Sequence, residues 1–147
     1  MADLQPETIR RVVQAAEIKY ISLKEFQCKT DRPTHQLSAS DFEADISVDA
    51  KWHLQDHQLI VETRFTLEGT TPEDAPPSVF FFAAYWVVYQ LTSKDLEEDA
   101  LDYFAKVNAP FNLYPYFREL TDTTAKRMGL PFQLLLPLLK QPTGNRN

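Results

Sequence analysis

Between residues 42 and 54, apolar and polar side chains alternate without a break. Phe42, Ala44, Ile46, Val48, Ala50, Trp52 and Leu54 share one phase, while Glu43, Asp45, Ser47, Asp49, Lys51 and His53 share the other. Period two sustained over this length predicts a β-strand with one apolar face and one wet, mostly charged face. After a short polar break at Gln55–Asp56 the alternation resumes, with Leu59, Val61, Thr63, Phe65 and Leu67 set against Glu62, Arg64 and Glu68. Two such runs around a tight break predict an antiparallel hairpin. The earlier run Ile18–Lys29 is also extended. There, Ile21 and Leu23 lie in one phase and Phe26 and Cys28 in the other, so a bulge is expected between Leu23 and Phe26.

The fourth run, Val79–Leu91, is apolar in both phases. A central strand buried on both faces is the plain account. In a small antiparallel sheet, however, one face normally meets water. A second apolar face of Phe80, Phe82, Trp86 and Val88 then implies that another subunit or a ligand covers it, and contact between copies of the chain is the preferred reading.

Helical spacing marks the rest. Ile9, Val12, Val13 and Ala16 predict a helix over Pro6–Glu17. Leu96, Ala100, Leu101, Phe104 and Val107 predict another over Asp95–Val107, with acids in its first turns where the helix dipole favours them. A further helix is expected to start near Leu113–Pro115 with Asn112 as its cap, and to stop at Met128 before Gly129. Thr30–Asp41 and Gly69–Ser78 read as connections. The leucine-rich tail Leu130–Lys140, broken by Pro131 and Pro137, reads as extended, and the ends 1–5 and 141–147 as frayed. The order predicts one α+β domain over residues 1–147, with its core at about 18–140: a four-stranded antiparallel sheet, strands first, then helices packed on one face.

Composition narrows the chemistry. The chain has 147 residues, 44% hydrophobic and 24% charged, with a formal net charge of -6. It lacks a basic stripe, which argues against nucleic acid as a partner. A single cysteine, Cys28, permits no intrachain disulfide and suits a reducing compartment. With no signal-peptide pattern at the N-terminus and no apolar run long enough to span a bilayer, a soluble cytoplasmic protein is expected, without membrane insertion. His53 and His57 are four apart but straddle the hairpin break, so no metal site is expected. Cys28 reads as a small core residue and not as a nucleophile. The three isolated glycines, Gly69, Gly129 and Gly144, cannot form a phosphate-cradling loop or a dinucleotide fingerprint. No catalytic set and no cofactor are expected.

Asn112-Leu-Tyr-Pro-Tyr-Phe-Arg-Glu-Leu120, followed by Lys126-Arg-Met-Gly-Leu-Pro131, resembles the signature of the SecB-like chaperones. The order of four strands, an acidic short helix and a long helix is similar to that family as well. The resemblance implies a dimer or a homotetramer, a dimer of dimers with the long helices sandwiched between sheets. It also implies ATP-independent binding of non-native polypeptides on apolar grooves. In export systems such proteins hand clients to the SecA translocase ATPase, and relatives serve antitoxins.

On that reading, client contact falls to Phe42, Ile46, Trp52, Phe117, Leu120 and Leu134, although core packing under the helices is the commoner fate of the first three. Tyr116 joins Phe80, Phe82, Trp86 and Val88 as the candidate oligomer surface. Glu25 matches one acidic position of the SecA-docking face, but Lys29 falls near a second and Val79–Tyr89 carries no acid. The export members' last helix would begin about where the sequence ends. A holdase is the leading expectation, an adaptor for one partner such as an antitoxin the alternative, and a small-ligand carrier or enzyme the weaker third.

Overall fold

The structure, a computed structural model, describes residues 4–37, 43–70, 78–131 and 136. In chain order its elements are helix α1 (Pro6–Ala15), strand β1 (Ala16–Thr30), a 3-10 turn (Thr34–Gln36), β2 (Glu43–Gln55), β3 (Gln58–Thr70), β4 (Val79–Leu91), α2 (Glu98–Tyr103), a π-helical turn (Phe104–Asn108) and α3 (Ala109–Arg127). This is the expected α+β order.

The four strands form one sheet in the order β1-β4-β3-β2, antiparallel throughout. β2, β3 and β4 are a meander, and β1 lies against the far side of β4. β1 and β2 are therefore the two edges. The bulge expected near Leu23 is present between Leu23 and Glu25, and a second lies between Ile18 and Tyr20. α1 stops at Ala15, two residues early, because Ala16 is already extended and starts β1.

The hairpin break is one residue later than expected. Asp56 and His57 are the two turn residues, at φ of 50° and 65°. Two left-handed central residues give the turn a twist that matches the paired strands, normally with Asn or Asp followed by Gly. Here histidine takes the glycine position.

One face of the sheet carries the core. Leu59, Val61, Phe65 and Leu67 of β3 and Val79, Phe81, Val87 and Tyr89 of β4 are buried beneath the helices. The Phe117 ring of α3 stacks on Phe65, with centroids 4.9 Å apart and planes 13° from parallel. Phe104 meets the ring of Tyr89 edge-on at 4.8 Å. Stacked and edge-to-face arrangements suit the quadrupoles of the rings, so these contacts fix how the helices sit on the strands.

The helical layer departs from expectation in its joints. Pro110 has no N–H to continue an α-helical ladder. Just before it the chain takes a π turn, in which the N–H of Ala109 bonds the carbonyl of Phe104 five residues back. α2, the π turn and α3 thus run on without a cap, and α3 starts at Ala109, not near Leu113. Asn112 is not a cap: its amide donates to the Tyr89 hydroxyl at 2.9 Å. The far end is as predicted. Gly129, at φ 79°, lets the Leu130 N–H reach Ala125 O and the Gly129 N–H reach Lys126 O, both at 3.1 Å, which closes the last turn.

Candidate functional site

The helices cover the middle of the sheet fully and its two edge strands only in part. Register places Ile18 and Leu23 of β1 opposite Tyr89 and Tyr85, and Val48 and Leu54 of β2 opposite Phe65 and Leu59, all on the helix side. These four side chains are exposed, while their partners are buried. Ile46 and Trp52 on the same face of β2 are half-buried. Two apolar margins therefore flank the helical layer. Cys28 lies on the β1 margin and is exposed, contrary to the core position expected of it.

Trp52 is held in place. Its indole N–H donates to Asp102 Oδ1 at 2.8 Å, and Lys106 Nζ lies 3.1 Å from the other carboxylate oxygen. The indole hydrogen bond, with help from Lys106, holds the Asp102 carboxyl below the usual carboxylate range. The link ties the β2 margin to α2 and the π turn, so Trp52 is a strut with one accessible side.

The opposite face has a different cover. Phe80, Phe82, Trp86 and Val88 point away from the helices and are half-buried. Lys24 Nζ sits 4.8 Å from the centre of the Trp86 ring, Lys29 Nζ 5.2 Å from that of Phe80, and the Arg64 guanidinium 5.7 Å from that of Phe82. Glu62 gathers two of these cations, with Lys24 at 3.0 Å and Arg64 at 3.2 Å. A cation over a ring face is attracted by the ring's quadrupole. The second apolar phase of β4 is thus roofed in part by the chain's own side chains. Lys24 reaches this place from the bulge between Leu23 and Glu25, a position that alternation alone does not reveal. Glu25 lies on this face too, exposed and accepting a 2.7 Å hydrogen bond from the Gln27 amide.

The remaining candidates are scattered. Phe117 is fully buried against Phe65, so it has no surface for a client, and that assignment is corrected to a core role. Leu120 is half-buried on α3. Tyr116 is exposed on α3, in the helical layer, and is not brought together with Phe80, Phe82, Trp86 and Val88. Phe42 and Leu134 lie outside the described residues.

Burial pushes the Tyr85 and Tyr89 phenols up to about 12, with Glu119 adding to the rise at Tyr85 and the Asn112 amide opposing it at Tyr89. Burial raises the Tyr114 phenol as well, against the pull of Arg118. Such phenols keep their protons near neutrality and are ill suited to general-base work. At the hairpin end, Leu54, His57, Leu91, Lys94, Leu96 and Leu101 line a depression of about 230 Å³, below the roughly 300–1,000 Å³ of a small-molecule site. Among the described residues, no group of three or more His, Cys, Asp or Glu is placed to hold a metal ion. None of their helices is long and apolar enough to cross a membrane.

An open-edged antiparallel sheet with a single helical layer defines the class of the molecule. No protein-family model and no curated protein matches the chain. Among solved structures it is similar to the Mycobacterium tuberculosis SecB-like chaperone Rv1957, in complex with a ChAD peptide from the Rv1956 HigA1 antitoxin. The TM-score is 0.77 at 21% identity, over 92% of this chain and 99% of that one. The fold is SecB-like, in agreement with the resemblance carried by Asn112–Leu120. That stretch does its work in packing: Asn112 binds Tyr89, and Leu113, Tyr114 and Phe117 fill the core.

Proposed function

We propose that this chain is an ATP-independent chaperone that holds non-native polypeptides on the apolar margins of its sheet, without a cofactor and in the cytoplasm. The observation that carries the reading is the incomplete cover of the helix-side face, where Ile18, Leu23, Val48 and Leu54 remain exposed on a fold whose solved neighbour was captured with a peptide. Each large apolar client side chain removed from water gains roughly 1.5–3 kcal/mol before ordering costs. Such binding needs area and not a particular sequence. The same margins suit self-association as a dimer or tetramer.

The test is an aggregation assay on several unrelated, chemically unfolded clients without nucleotide, with the mass in solution measured by light scattering. Delayed aggregation of all clients, by a species at a multiple of 17.0 kDa, is expected. No effect on any client at equimolar protein overturns the reading. The peptide on the solved neighbour, which comes from an antitoxin, favours a second reading: an adaptor for one partner, which would act on one client of the panel and not the others. Export through SecA is the less supported role, because Glu25 is the acid at the expected docking position and Lys24 and Lys29 flank it on the same sheet face, over Trp86 and Phe80.

A further inference from the structure

A turn of the β2–β3 type usually places glycine second. Here His57 holds that place at φ 65°, where a side chain is strained. Strain of this kind persists only where the surroundings hold it, and it marks positions to read for function. The surroundings do hold it. The His57 carbonyl accepts from the Leu91 N–H at 2.9 Å and from the Gln90 amide at 3.3 Å. One residue further on, the Thr92 N–H and hydroxyl both donate to the Ala15 carbonyl, at 2.9 and 3.3 Å. The turn and the segment after β4 are thus tied down beside the depression at the hairpin end.

That depression has two kinds of lining. Leu54, Leu91, Leu96 and Leu101 make it apolar, with Leu101 buried and Leu91 and Leu96 half-buried. Its polar groups are Ser93, Lys94 and His57, all exposed. Each can donate a hydrogen bond. Asp56 and Asp95 adjoin His57 and Lys94 in sequence but do not line the depression, so no carboxylate competes for the donors there. Among the described residues, none of the three donor side chains has a hydrogen-bond or ion-pair partner. Apolar walls with unengaged donors beside them complement a group that is apolar at one end and anionic at the other. Size narrows the group further. The volume of about 230 Å³ is small for a drug-sized ligand, yet an apolar cavity of roughly 150 Å³ takes up benzene. One aliphatic or aromatic side chain fits.

We infer that this depression captures the C-terminal residue of a polypeptide, with its apolar side chain among the leucines and its carboxylate on Lys94, Ser93 and His57. In a polypeptide, an apolar side chain and a main-chain carboxylate share one carbon only at the last residue. Such capture asks nothing of the sequence upstream. The site shares Leu54 with the β2 margin but does not depend on the chaperone reading.

The probe is trifluoroacetyl-Gly-Ser-Gly-Leu with a free carboxylate, followed by fluorine NMR as the full chain is titrated in. Amidating the carboxylate is expected to weaken binding about fivefold, because an exposed ion pair and its charge-assisted hydrogen bonds are lost. Ending the peptide in serine is expected to weaken it about tenfold. Lys94→Gln is expected to weaken the acid about fivefold and to bring acid and amide within about twofold of each other. A lysine with a structural role alone would not remove that difference. His57→Gly, which relieves the turn, is expected to remain folded and to weaken the acid about threefold.

No binding of the leucine acid at peptide concentrations on the order of millimolar overturns the inference. So does equal binding of acid and amide, equal binding of the leucine and serine ends, or an equal loss of acid and amide in Lys94→Gln. Trifluoroacetyl-leucine binding about tenfold tighter than the peptide makes the occupant a free small acid and overturns the polypeptide end. A chain that delays client aggregation without any preference among the peptides loses this site and keeps the chaperone reading. One that shows the preference without delaying aggregation keeps the site and loses the chaperone reading.

Discussion

Thr63 puts a hydroxyl into an otherwise hydrocarbon interface. It is fully buried on the helix side of β3, and its Oγ1 has no hydrogen-bond partner. An unpaired buried hydroxyl carries its desolvation cost without return, whereas valine has nearly the same shape. Thr63→Val is therefore expected to stabilise the chain by about 1 kcal/mol, seen as a higher urea midpoint at unchanged slope. Phe117 is the opposite case. Removing a ring stacked on Phe65 leaves a cavity, so Phe117→Ala is expected to cost about 3–5 kcal/mol, with secondary structure retained only if the chain remains folded in buffer. Thr63 had its correct phase in the sequence, whereas Phe117 was assigned there to client contact. What the sequence could not say was how completely each is covered. Phe117 reads as apolar on any helix, and Cys28 follows the usual habit of free cysteines in reading as buried. Both depend on which strands the helices reach, a tertiary matter.

At the scale of elements, strands were more legible than helices. Period two located β2 and the start of β3 to within a residue, since a one-residue slip would turn every apolar side chain to the wrong face, while β4 stood out as an unbroken apolar run. The π turn defeated the helix reading. Two helices with a capped gap and one continuous run through an extra residue at Phe104–Asn108 leave nearly the same apolar spacing, and Pro110 and Pro115 both look like starts. The bulge that delivers Lys24 to Trp86 was half visible as a phase change, but its partner ring was not.

The hairpin turn offers a direct test of element geometry. His57 holds φ at 65°, a conformation that costs a residue with a Cβ roughly 1–2 kcal/mol. Glycine removes that strain but gains freedom when unfolded. His57→Gly is thus expected to stabilise by a net amount of about 0.5–1 kcal/mol. Its backbone carbonyl, which accepts from the Leu91 N–H at 2.9 Å, is kept. A lower thermal midpoint for this variant would mean that the imidazole itself supports the turn.

For the whole molecule, pH reports on the seal between sheet and helices. Tyr85 and Tyr89 lie on the buried face of β4, and burial raises both phenols from 10.0 to about 12. A folded pKa above the unfolded one means that the unfolded chain releases the proton first. The stabilisation is complete below pH 10 and is lost as pH rises toward 12, on the order of 2 kcal/mol for each phenol. Tyr114, raised in the same direction, adds to the slope. Tyr85→Phe removes one of these buried phenols, so its stability should fall less steeply between pH 10 and 12 than that of the parent chain. Lys24→Gln should lower stability at pH 8 and change that slope little. If the parent and Tyr85→Phe fall in parallel, the phenol is not sealed beneath the helices, and the division of the sheet into a covered middle and partly covered margins fails with it.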